Sequence, residues 1–370
     1  MTGSPQAGSL LLIESYYGGS HRAWAEGLVR HLERPVELVS LPARWWKWRM
    51  RGGAVTLAER LDRLPRPPAV VLVSDMIDLP AFLTFARPHI GDAPVALYFH
   101  ESQLTYPDSP QMEPDLHFAV TNWLSALAAD RVFFNSAYHR DVFFAEVPKL
   151  LRHFPDHTHE HLVEGVREKS RVLEVGIELD WLPAEVPARQ GPVRILWNHR
   201  WEHDKDPEAF FGAVDRLVTD GLEFEVVVCG ESFRQQPTEF QAAAGRHRDR
   251  IVHMGYVPLD AYRRHLLEAD VVVSTALQEF FGIAVIEAIA AGCFPVVPDR
   301  LAYPSLLPPA WHRQSLYPEG GLVERLRWAV THPDEIRSGA GDRRRHMARF
   351  GWATMAPRYS EALASLVEEE

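Results

Sequence analysis

The feature that most constrains the fold is a repeated alternation of short apolar runs with amphipathic segments. The first series starts with LLLIES at Leu10, a helical pattern over 21–32 and VELVS at Val36, and continues through AVVLVS, PVALYF and RVFFNS. Alternation of this kind is typical of βαβ units, and continuously apolar strands are typical of parallel sheets buried on both faces. The pattern therefore predicts an α/β protein.

A second series of the same kind follows a proline-rich stretch. Its strands are predicted to be VRILW, FEVVVCG, IVHMG, DVVVSTA and CFPVVP, and the stretch LDWLPAEVPARQGP before them contains three prolines. Such a stretch favours a linker, so the sequence predicts two doubly wound, Rossmann-like domains facing a cleft. The predicted boundaries are an N-terminal domain over 1–178, a linker over 179–192, a C-terminal domain over 193–349 and a helix over 350–370 that crosses back to the first domain.

Composition narrows the function classes. The chain has 370 residues, 46% of them hydrophobic, and a net charge of -11, which argues against nucleic-acid binding through the whole surface. No apolar stretch approaches the roughly 18 residues that span a bilayer, and the start lacks the pattern of an export signal. Cys229 and Cys293 lie in apolar contexts, so we expect reduced core thiols and a cytoplasmic protein.

The most informative motif is EFFGIAVIE, over 279–287. Gly282 would let the backbone approach a ligand, and the N–H groups of the helix start would face an anion or a sugar hydroxyl. Glu279 in the loop and Glu287 in the helix would bracket one ligand and accept hydrogen bonds from vicinal hydroxyls. The alternative is structural, with Glu279 a helix-start charge and Glu287 a residue on a solvated face.

A second motif, WNHRWEHDKDP, directly follows the strand VRIL. Arg200 and Lys205 would lie at the carboxyl edge of the sheet, where a diphosphate binds, with Arg200 chelating two phosphate oxygens and Lys205 adding a point charge. Two cations that neutralise the leaving group would make a divalent metal unnecessary. The alternative is an exposed ion-pair loop with Glu202 and Asp204.

Two loops of the N-terminal half also follow strands. Glycines and short polar residues in the first would face a phosphate or an acceptor, with Ser20 as the helix N-cap; this loop comprises Gly18, Gly19, Ser20 and His21. In the second, His100 would contact the transferred sugar or tune the acceptor hydroxyl, beside Glu101 and Gln103. The alternatives are a simple turn for the first loop and a structural histidine for His100.

No metal site is predicted, although the chain has 18 histidines. The histidine-rich tract that begins at His153 lacks cysteine partners and regular helical spacing, so a solvated loop is expected.

The chain resembles retaining GT-B glycosyltransferases of family 4, whose Glu-x7-Glu signature Glu279 and Glu287 match. More specifically, it resembles the tRNA-queuosine α-mannosyltransferase family. Five blocks spread from Tyr16 to Pro308 carry this resemblance: YYGGSHRAW, YFHESQLTYP, ILWNHRWEHDKDPEAFF, STALQEFFGIAVIEA and PDRLAYPSLLP.

The resemblance implies mannose transfer with retention from GDP-mannose to queuosine in a tRNA anticodon loop, with no cofactor. Glu287 would hold the nucleotide ribose, and Arg200 and Lys205 the diphosphate. Glu279 and the backbone of Phe280, Phe281 and Gly282 would hold the mannose hydroxyls, and His100 would lie near the anomeric carbon. The catalytic set implied is His100, Glu279, Arg200 and Lys205.

A basic, tryptophan-rich segment is the candidate RNA contact. It contains four cations, three tryptophans and no acid: Arg44, Trp45, Trp46, Lys47, Trp48, Arg49 and Arg51. Aromatic rings would stack on exposed bases while the cations meet phosphates. The alternative is an amphipathic packing segment. Two other functions stay open, namely transfer to a small-molecule or glycan acceptor and non-catalytic binding of a sugar nucleotide or RNA.

Overall fold

The computed structural model describes residues 8–105, 116–230 and 238–368, without the side chains of 238, 239 and 241. The chain divides into two compact units: unit 1 comprises Met1–Glu178 and Phe350–Glu370, and unit 2 comprises Leu179–Arg349. Tyr106 and Pro107, the last two residues of the YFHESQLTYP block, lie outside the described residues, as do 1–7 and 369–370 of the predicted domain ranges.

Unit 1 is built on a six-stranded parallel sheet in the order β2-β1-β3-β4-β5-β6. Its strands are β1 (Leu10–Tyr17), β2 (Val36–Pro42), β3 (Val70–Ser74), β4 (Val95–Phe99), β5 (Arg131–Phe134) and β6 (Ser170–Val172). Its helices are α1 (Gly19–His31), α2 (Trp46–Glu59), α3 (Leu79–Ile90), α4 (Leu116–Ala128), α5 (Ala137–Arg152) and α6 (Val163–Glu168), with short 3-10 helices over Arg60–Arg63 and Glu160–Leu162.

Unit 2 repeats the plan with the strand order β12-β11-β10-β7-β8-β9, again all parallel. Its strands are β7 (Val193–Trp197), β8 (Phe224–Cys229), β9 (Ile251–Gly255), β10 (Val271–Val273), β11 (Phe294–Pro298) and β12 (Leu316–Tyr317). Its helices are α7 (Pro207–Thr219), α8 (Thr238–Arg246), α9 (Leu259–Glu268), α10 (Ile283–Ala290), α11 (Tyr303–Leu306), α12 (Pro309–Ser315), α13 (Leu322–Thr331), α14 (Pro333–Ser338) and α15 (Ala340–Met347), with 3-10 helices over His203–Lys205 and Ala348–Phe350.

The chain ends in helix α16 (Trp352–Glu368), which belongs to unit 1. Its apolar face packs against α1, because Gly27 of α1 has no side chain where the Trp352 ring lies; an added Cβ would come within 2.2 Å of that ring. The Trp24 indole N–H also donates to the Tyr359 hydroxyl oxygen at 2.9 Å. These contacts attach the last helix to the first one.

The segment predicted as a linker, 179–192, is part of unit 2. The Arg189 guanidinium donates to the carbonyl oxygens of Leu266, Leu267 and Ala291, at 3.4, 2.9 and 3.2 Å. These bonds fix an irregular segment by satisfying carbonyl groups at the ends of two helices.

Both sheets show why their strands are so apolar. All of β3, β4 and β11, and most of β8, is buried because helices cover both faces. Each sheet also has one point where consecutive connections leave in opposite directions, between β1 and β3 in unit 1 and between β7 and β10 in unit 2. Loops at the carboxyl ends of these strands form crevices that bind ligands in open α/β sheets. The predicted fold class is confirmed, and the motifs lie at these crevices.

Candidate active site

In unit 2 the loop after β7 and the loop after β10 are joined by hydrogen bonds at the switch point. The Leu277 N–H donates to the Asp204 carbonyl oxygen at 2.8 Å, and the Thr275 hydroxyl donates to the Lys205 carbonyl oxygen at 2.6 Å. The Trp197 indole N–H donates to the Thr275 hydroxyl oxygen at 3.1 Å. Hydrogen bonds therefore join the two predicted donor-binding motifs into one site.

Lys205 is the buried residue at the centre of this site. Its Nζ donates to the Gln278 carbonyl oxygen at 2.7 Å and lies 3.1 Å from Asp204 Oδ2 and 3.5 Å from Glu279 Oε2. Burial by itself would lower the pKa of Lys205, but the two carboxylates outweigh it and raise the pKa above its ordinary value. The ammonium is therefore held between two carboxylates.

Glu279 is the partner of this ammonium, and its side chain is only 21% exposed. Burial would raise the pKa of Glu279, yet the nearby Lys205 charge lowers it below the ordinary value, so the group is a carboxylate at neutral pH. Its second oxygen accepts a hydrogen bond from the Phe281 N–H at 3.4 Å. The carboxylate thus lies beside the start of helix α10.

Gly282 is the N-cap of α10 and has φ 94°, in the left-handed region that favours glycine. A Cβ there would lie 3.3 Å from the Tyr303 ring, so the turn is tight as well as left-handed. No side chain among the described residues caps the helix, and the N-terminal end of a helix favours anions. The side chains of Phe280 and Phe281 are buried.

Glu287 lies in the second turn of α10, half-buried. The Tyr262 hydroxyl of α9 donates to Glu287 Oε2 at 2.9 Å, and the Asn198 amide donates to the Tyr262 hydroxyl oxygen at 3.0 Å and to the Ala284 carbonyl oxygen at 2.8 Å. Burial raises the pKa of Glu287 to about 7, against the opposing effects of Tyr262 and Arg263. This carboxyl group is oriented by neighbours, unlike a charge on a solvated face.

Arg200 is the more exposed of the two predicted cations, since half of its side chain is accessible. Its Nη2 lies 3.1 Å from Glu202 Oε2, as in the alternative of an ion-pair loop. Its charge nevertheless acts on Lys205, whose pKa it tends to lower, so the two cations are near each other. The structure brings Arg200, Lys205 and Glu279 to one edge of the sheet.

In unit 1, His21 faces a carboxylate buried in the first strand. Its Nδ1 lies 3.1 Å from Oε2 of Glu14, which is fully buried. Burial would lower the pKa of His21, but Glu14 first, and Asp75 and Glu101 less strongly, raise it to about 9. His21 is therefore an imidazolium at neutral pH.

His100 is neutral by contrast. Its ring centroid lies 4.2 Å from that of His21. Burial, followed by the charges of His21 and His139, holds the pKa of His100 well below its usual value. Its backbone N–H donates to Asp75 Oδ1 at 3.3 Å. Burial also raises the pKa of the Asp75 carboxyl to about 7.

The glycine loop corrects one detail of the sequence analysis. Ser20 is not the N-cap of α1, because the helix begins at Gly19 and the N-cap is Gly18, with no side-chain cap. Gly19 has φ 51°, in the left-handed region that favours glycine, and the helix begins two residues earlier than expected. Gly18 is needed for space, since a Cβ there would lie 2.4 Å from the Ala43 Cβ.

Glu101 and Gln103 lie after β4 with His100. The Gln103 amide donates to Glu101 Oε1 at 3.2 Å, the Glu101 N–H donates to Asp75 Oδ2 at 3.1 Å, and the Gln103 N–H donates to Asn122 Oδ1 at 2.9 Å. These bonds order the polar loop beside the two histidines.

Buried polar atoms without a hydrogen-bond partner, counted among the described residues, occur at both crevices. They include Asn198 Oδ1 and His199 Nε2 in unit 2, and His100 Nε2 and Ser102 Oγ in unit 1. Because buried polar atoms are nearly always paired in folded proteins, such atoms indicate sites completed by a ligand or by water.

The tryptophan-rich segment divides into a packed part and an exposed part. Trp46 packs beside Met50, Met76 and Phe118, which fits the alternative of a packing segment for this residue. Trp45 and Trp48 are 79% and 62% exposed. The cations are arranged around them: Arg44, Lys47 and Arg51 are exposed, and Arg49 donates to the Pro42 carbonyl oxygen at 3.1 Å.

Two groups of metal-ligand side chains occur in the described ranges, and neither includes the histidine tract at His153. One is Glu14, His21 and His100; the other is Cys229, His253 and His265. The first belongs to the charge cluster above, where the imidazolium of His21 already neutralises Glu14. Cys229 and Cys293 are free and buried, as expected. No helix within 8–105, 116–230 or 238–368 has the length and apolar character to cross a membrane.

Sequence reasoning missed several residues that build these sites. Glu14 and Asp75 had a usable signal, because Glu14 is the one acid within the apolar strand β1 and Asp75 directly follows the apolar strand β3. Tyr262 and Asn198, which orient Glu287, had none, because their pairing depends on how α9 packs beside α10. Arg300 was also missed; its guanidinium donates to the Ala276 carbonyl oxygen at 3.2 Å, in the loop after β10.

Comparison with known proteins agrees with this architecture. The family model described as tRNA-queuosine alpha-mannosyltransferase N-terminal matches residues 9–177, and the model described as glycosyl transferases group 1 matches residues 182–335. Sucrose-phosphate synthase from Thermosynechococcus elongatus has a TM-score of 0.74 at 14% identity, covering 98% of this chain and 100% of that one. The catalytic domain of starch synthase IV from Arabidopsis thaliana has the same TM-score and coverage at 13% identity.

At such low identities the two solved structures show the fold, which is GT-B. A much closer relationship links the chain to the tRNA-queuosine alpha-mannosyltransferase of Drosophila melanogaster, which is 34% identical over 320 residues, or 83% of each chain. The chain is therefore a glycosyltransferase of the GT-B fold and belongs to the tRNA-queuosine alpha-mannosyltransferase family.

Proposed function

We propose that this glycosyltransferase transfers mannose from GDP-mannose to queuosine in a tRNA anticodon loop, with retention and in the cytoplasm. The observation that carries the proposal is the 34% identity to a tRNA-queuosine alpha-mannosyltransferase over 83% of both chains. The geometry of unit 2 supports the donor half of the reaction, and the exposed aromatic and basic surface of unit 1 supports the acceptor half.

The donor diphosphate would bind at the start of α10, beside Arg200 and Lys205. Uncapped N–H groups at this helix end favour an anion, and the two cations add charge. Lys205 lies between Asp204 and Glu279, so phosphate oxygens would have to share its ammonium with these carboxylates. Glu279 would in turn be released to accept a mannose hydroxyl.

The ribose would bind at Glu287. A carboxylate oriented by Tyr262 can accept hydrogen bonds from two vicinal hydroxyls, and the unpaired Asn198 Oδ1 is a further acceptor in the same place. Binding two hydroxyl donors would also favour the charged form of Glu287 over the protonated form.

In the transfer step, the acceptor hydroxyl oxygen would attack the anomeric carbon from the face of the departing phosphate. The bond between that carbon and the β-phosphate oxygen breaks, the new glycosidic bond forms, and the hydroxyl proton passes to the leaving phosphate, which departs as GDP. Arg200 and Lys205 would stabilise the charge that develops on it. Neutral His100 would contact the sugar, and its unpaired Nε2 is available for one hydrogen bond.

Since cations neutralise the leaving group, transfer is proposed to need no divalent metal. Added Mg²⁺ or Mn²⁺ should leave the transfer rate unchanged. A rate that depends on either ion would instead assign the diphosphate to a metal site and contradict the roles of Arg200 and Lys205.

The acceptor tRNA would contact Trp45, Trp48 and the cations around them. Trp48 packs against Gly52, where an added Cβ would be 2.3 Å from its ring, and the side chain is still 62% exposed. Trp45, the N-cap of α2, has φ 55°, a strained conformation for a bulky residue and one that places this exposed ring at a helix start. Stacking on splayed bases suits both rings.

The decisive test is mass spectrometry of nucleosides from tRNA incubated with the protein and GDP-mannose. Queuosine-containing tRNA should gain one hexose, and the same tRNA with guanosine in place of queuosine should gain none. Hexose transfer to a small molecule or glycan without tRNA would favour that class of acceptor, and absence of transfer with intact GDP-mannose binding would favour a non-catalytic protein. GDP-mannose should raise the melting temperature more than UDP-glucose does.

The RNA surface is tested separately. Trp48→Ala should raise the KM for tRNA about tenfold, because one stacked base contributes roughly 1–3 kcal/mol. The matched control is Phe154→Ala. Phe154 is another exposed aromatic residue of unit 1, and it follows helix α5. This helix packs beside β6, which is the edge strand on the opposite side of the sheet from β2. An equal effect of both substitutions, or no effect of Trp48→Ala, would remove the segment from the acceptor site.

A further inference from the structure

Unit 2 contains a group of soft ligands that the proposed transfer does not use. Cys229 is the last residue of β8, His253 lies in β9 and His265 lies in α9. The cysteine sulfur and one ring nitrogen of each histidine all lie within 4.8 Å of one another. Three separate elements of the fold therefore bring a thiol and two imidazoles to one point.

Cys229 differs from the other cysteine of the chain in its surroundings. The Cys293 thiol donates to the carbonyl oxygens of Leu266 and Ala269, at 3.4 and 3.2 Å, so it has partners in its own environment. The Cys229 thiol is buried and makes no hydrogen bond to any residue that the structure describes. Its sulfur is directed instead toward two imidazole rings.

His253 makes a backbone hydrogen bond of the kind that metal-binding histidines make. Its Nε2 lies 3.2 Å from the Gly255 carbonyl oxygen, to which it donates in the corresponding tautomer. That hydrogen bond leaves the lone pair on Nδ1. Histidine ligands commonly donate their second ring N–H to a backbone carbonyl, which fixes both the tautomer and the ring.

His265 supplies a buried ring nitrogen whose hydrogen bonding is unsatisfied. Its Nδ1 is buried and has no hydrogen-bond partner within the described ranges. Its ring is stacked on that of His253, with centroids 5.0 Å apart and an interplanar angle of 25°. Two adjacent imidazoles and a thiol, with one unpaired buried nitrogen, are an incomplete arrangement unless something binds among them.

We propose that Cys229, His253 and His265 form a binding site for a divalent cation of the zinc class. Two imidazole nitrogens and one thiolate are ligands that Zn²⁺ prefers, and three protein ligands leave a fourth position for water. Hard cations such as Mg²⁺ prefer oxygen ligands and would not bind here. The site is independent of the diphosphate chemistry proposed above.

Binding requires small movements and the loss of one proton. Zinc bonds of about 2.0–2.3 Å place tetrahedral ligand atoms roughly 3.3–3.8 Å apart, so no separation within the present 4.8 Å has to shorten by more than about 1.5 Å, within the reach of side-chain rotations. The thiol proton passes to the solvent as the sulfur binds the cation. No electron is transferred.

The location gives the cation a consequence for the donor site. His265 lies one helical turn from Tyr262 on α9, and Tyr262 donates to Glu287. A bound cation would tie α9 to β8 and β9 and hold Tyr262 in place. Because a ligand that binds only the folded state stabilises it, the whole protein should melt at a higher temperature with Zn²⁺.

Cobalt replaces zinc in such sites and reports sulfur ligation, so the test is titration of the metal-free full chain with Co²⁺. The wild-type protein should show a near-ultraviolet thiolate-to-cobalt band that saturates at one equivalent and is displaced by Zn²⁺. Cys229→Ser should abolish the band, and Cys293→Ser is the matched control that should keep it. His265→Gln should weaken Zn²⁺ binding at least tenfold.

A band that is missing from the wild type, that survives in Cys229→Ser, or that disappears only in Cys293→Ser would overturn the proposal. Circular dichroism of each variant shows whether it folds, and His265→Gln tests the site if the serine variant does not. Zinc bound by the exposed histidine tract at His153 would add equivalents but no sulfur band, so the two sources are distinguished.

Discussion

The two units hold their charges in opposite ways. In unit 2 a buried ammonium, Lys205, lies between the carboxylates of Asp204 and Glu279, so every member of the group has an opposite charge beside it. In unit 1 the imidazolium of His21 has a carboxylate partner in Glu14, while the neighbouring His100 is neutral and has an unpaired Nε2. The first arrangement fixes charges in place; the second leaves one uncharged group ready for a ligand.

This difference suggests a division of work. A group of paired charges is suited to electrostatic stabilisation, because its orientation is set before the leaving group develops charge. A neutral ring beside a fixed cation is suited to a hydrogen bond with a sugar, because it carries no charge that binding would desolvate. Substitution of the buried pair Lys205 and Glu279 should therefore affect stability and rate together, and substitution of His100 should affect rate alone.

The largest effect is expected for Lys205→Met, which removes the cation and keeps most of the volume. Buried carboxylates left without a partner cost about 3 kcal/mol of unfolding free energy, and loss of a charge at the leaving group should lower kcat about 10³-fold. Denaturant unfolding and single-turnover transfer measure the two effects. Glu279→Gln in the Lys205→Met background should restore part of the stability but not the rate; no restoration would mean that the two side chains are not coupled.

His100→Gln comes next and should separate rate from stability. We expect a loss of about 10²-fold in kcat, as for a positioned polar group, with unfolding free energy changed by less than about 1 kcal/mol. His139 is the matched control, since its Nδ1 is 2.9 Å from Asn135 Oδ1. His139→Gln should reduce stability and leave kcat almost unchanged. The reverse pattern would return His100 to a structural role.

Substitution of Glu287 should act on donor binding. Glu287→Gln removes a charged acceptor of two hydroxyls, so the KM for the donor should rise about 10–100-fold, the equivalent of roughly 1.5–3 kcal/mol for a charged hydrogen bond. Tyr262→Phe keeps the Glu287 carboxylate but removes the hydroxyl that orients it, so the KM for the donor should rise several-fold. Steady-state kinetics with varied GDP-mannose measures both KM values, and a larger effect for Tyr262→Phe than for Glu287→Gln would make the tyrosine the direct ligand.

Both sheets, and the loops that carry the candidate site residues, could be predicted from the sequence because its hydrophobic pattern is strongly periodic. Apolar strands and amphipathic helices repeat strongly enough to predict both sheets, and parallel strands place their following loops at one edge. The loops that carry His100, Lys205 and Glu279 could be identified in this way. The chemistry of each loop follows from local residue types, which a sequence displays directly.

The sequence could not show which side chains pair with each other. Lys205 and Glu279 are 74 positions apart, and Tyr262 and Glu287 are 25 apart, so only the packed structure shows which carboxylate has which partner. The charge of His21 depends on Glu14, a residue seven positions earlier that points into the same buried space. The early start of α1 depends on the conformation of Gly19 and on the space beside Ala43, which no local pattern encodes.

The titration of His21 gives a pH window for unit 1. Its pKa is about 9 in the folded protein, above the ordinary 6.5, so between these values the folded state binds more protons than the unfolded state. Its contribution to stability is complete below about pH 6.5 and is lost as the pH rises through 9, with a slope of at most about 1.4 kcal/mol per pH unit. His21→Gln should flatten the stability profile in this window, measured by denaturant unfolding at a series of pH values. Glu287→Gln is the control, because its pKa of about 7 affects the window from about 4.5 to 7.

Arg200 should show the smallest effect on stability and thereby test how far the pairing in unit 2 extends. Half of its side chain is exposed and it faces Glu202, so Arg200→Ala should change unfolding free energy by less than about 0.5 kcal/mol.

The role of Arg200 is expected only with the donor bound, when the guanidinium can turn from Glu202 to the diphosphate. Affinity for GDP should then fall several-fold, while affinity for guanosine, which has no phosphate, stays the same. Arg200→Lys should recover only part of the GDP affinity, because an ammonium cannot chelate two phosphate oxygens. Equal losses for GDP and guanosine would show that Arg200 shapes the loop and does not bind phosphate.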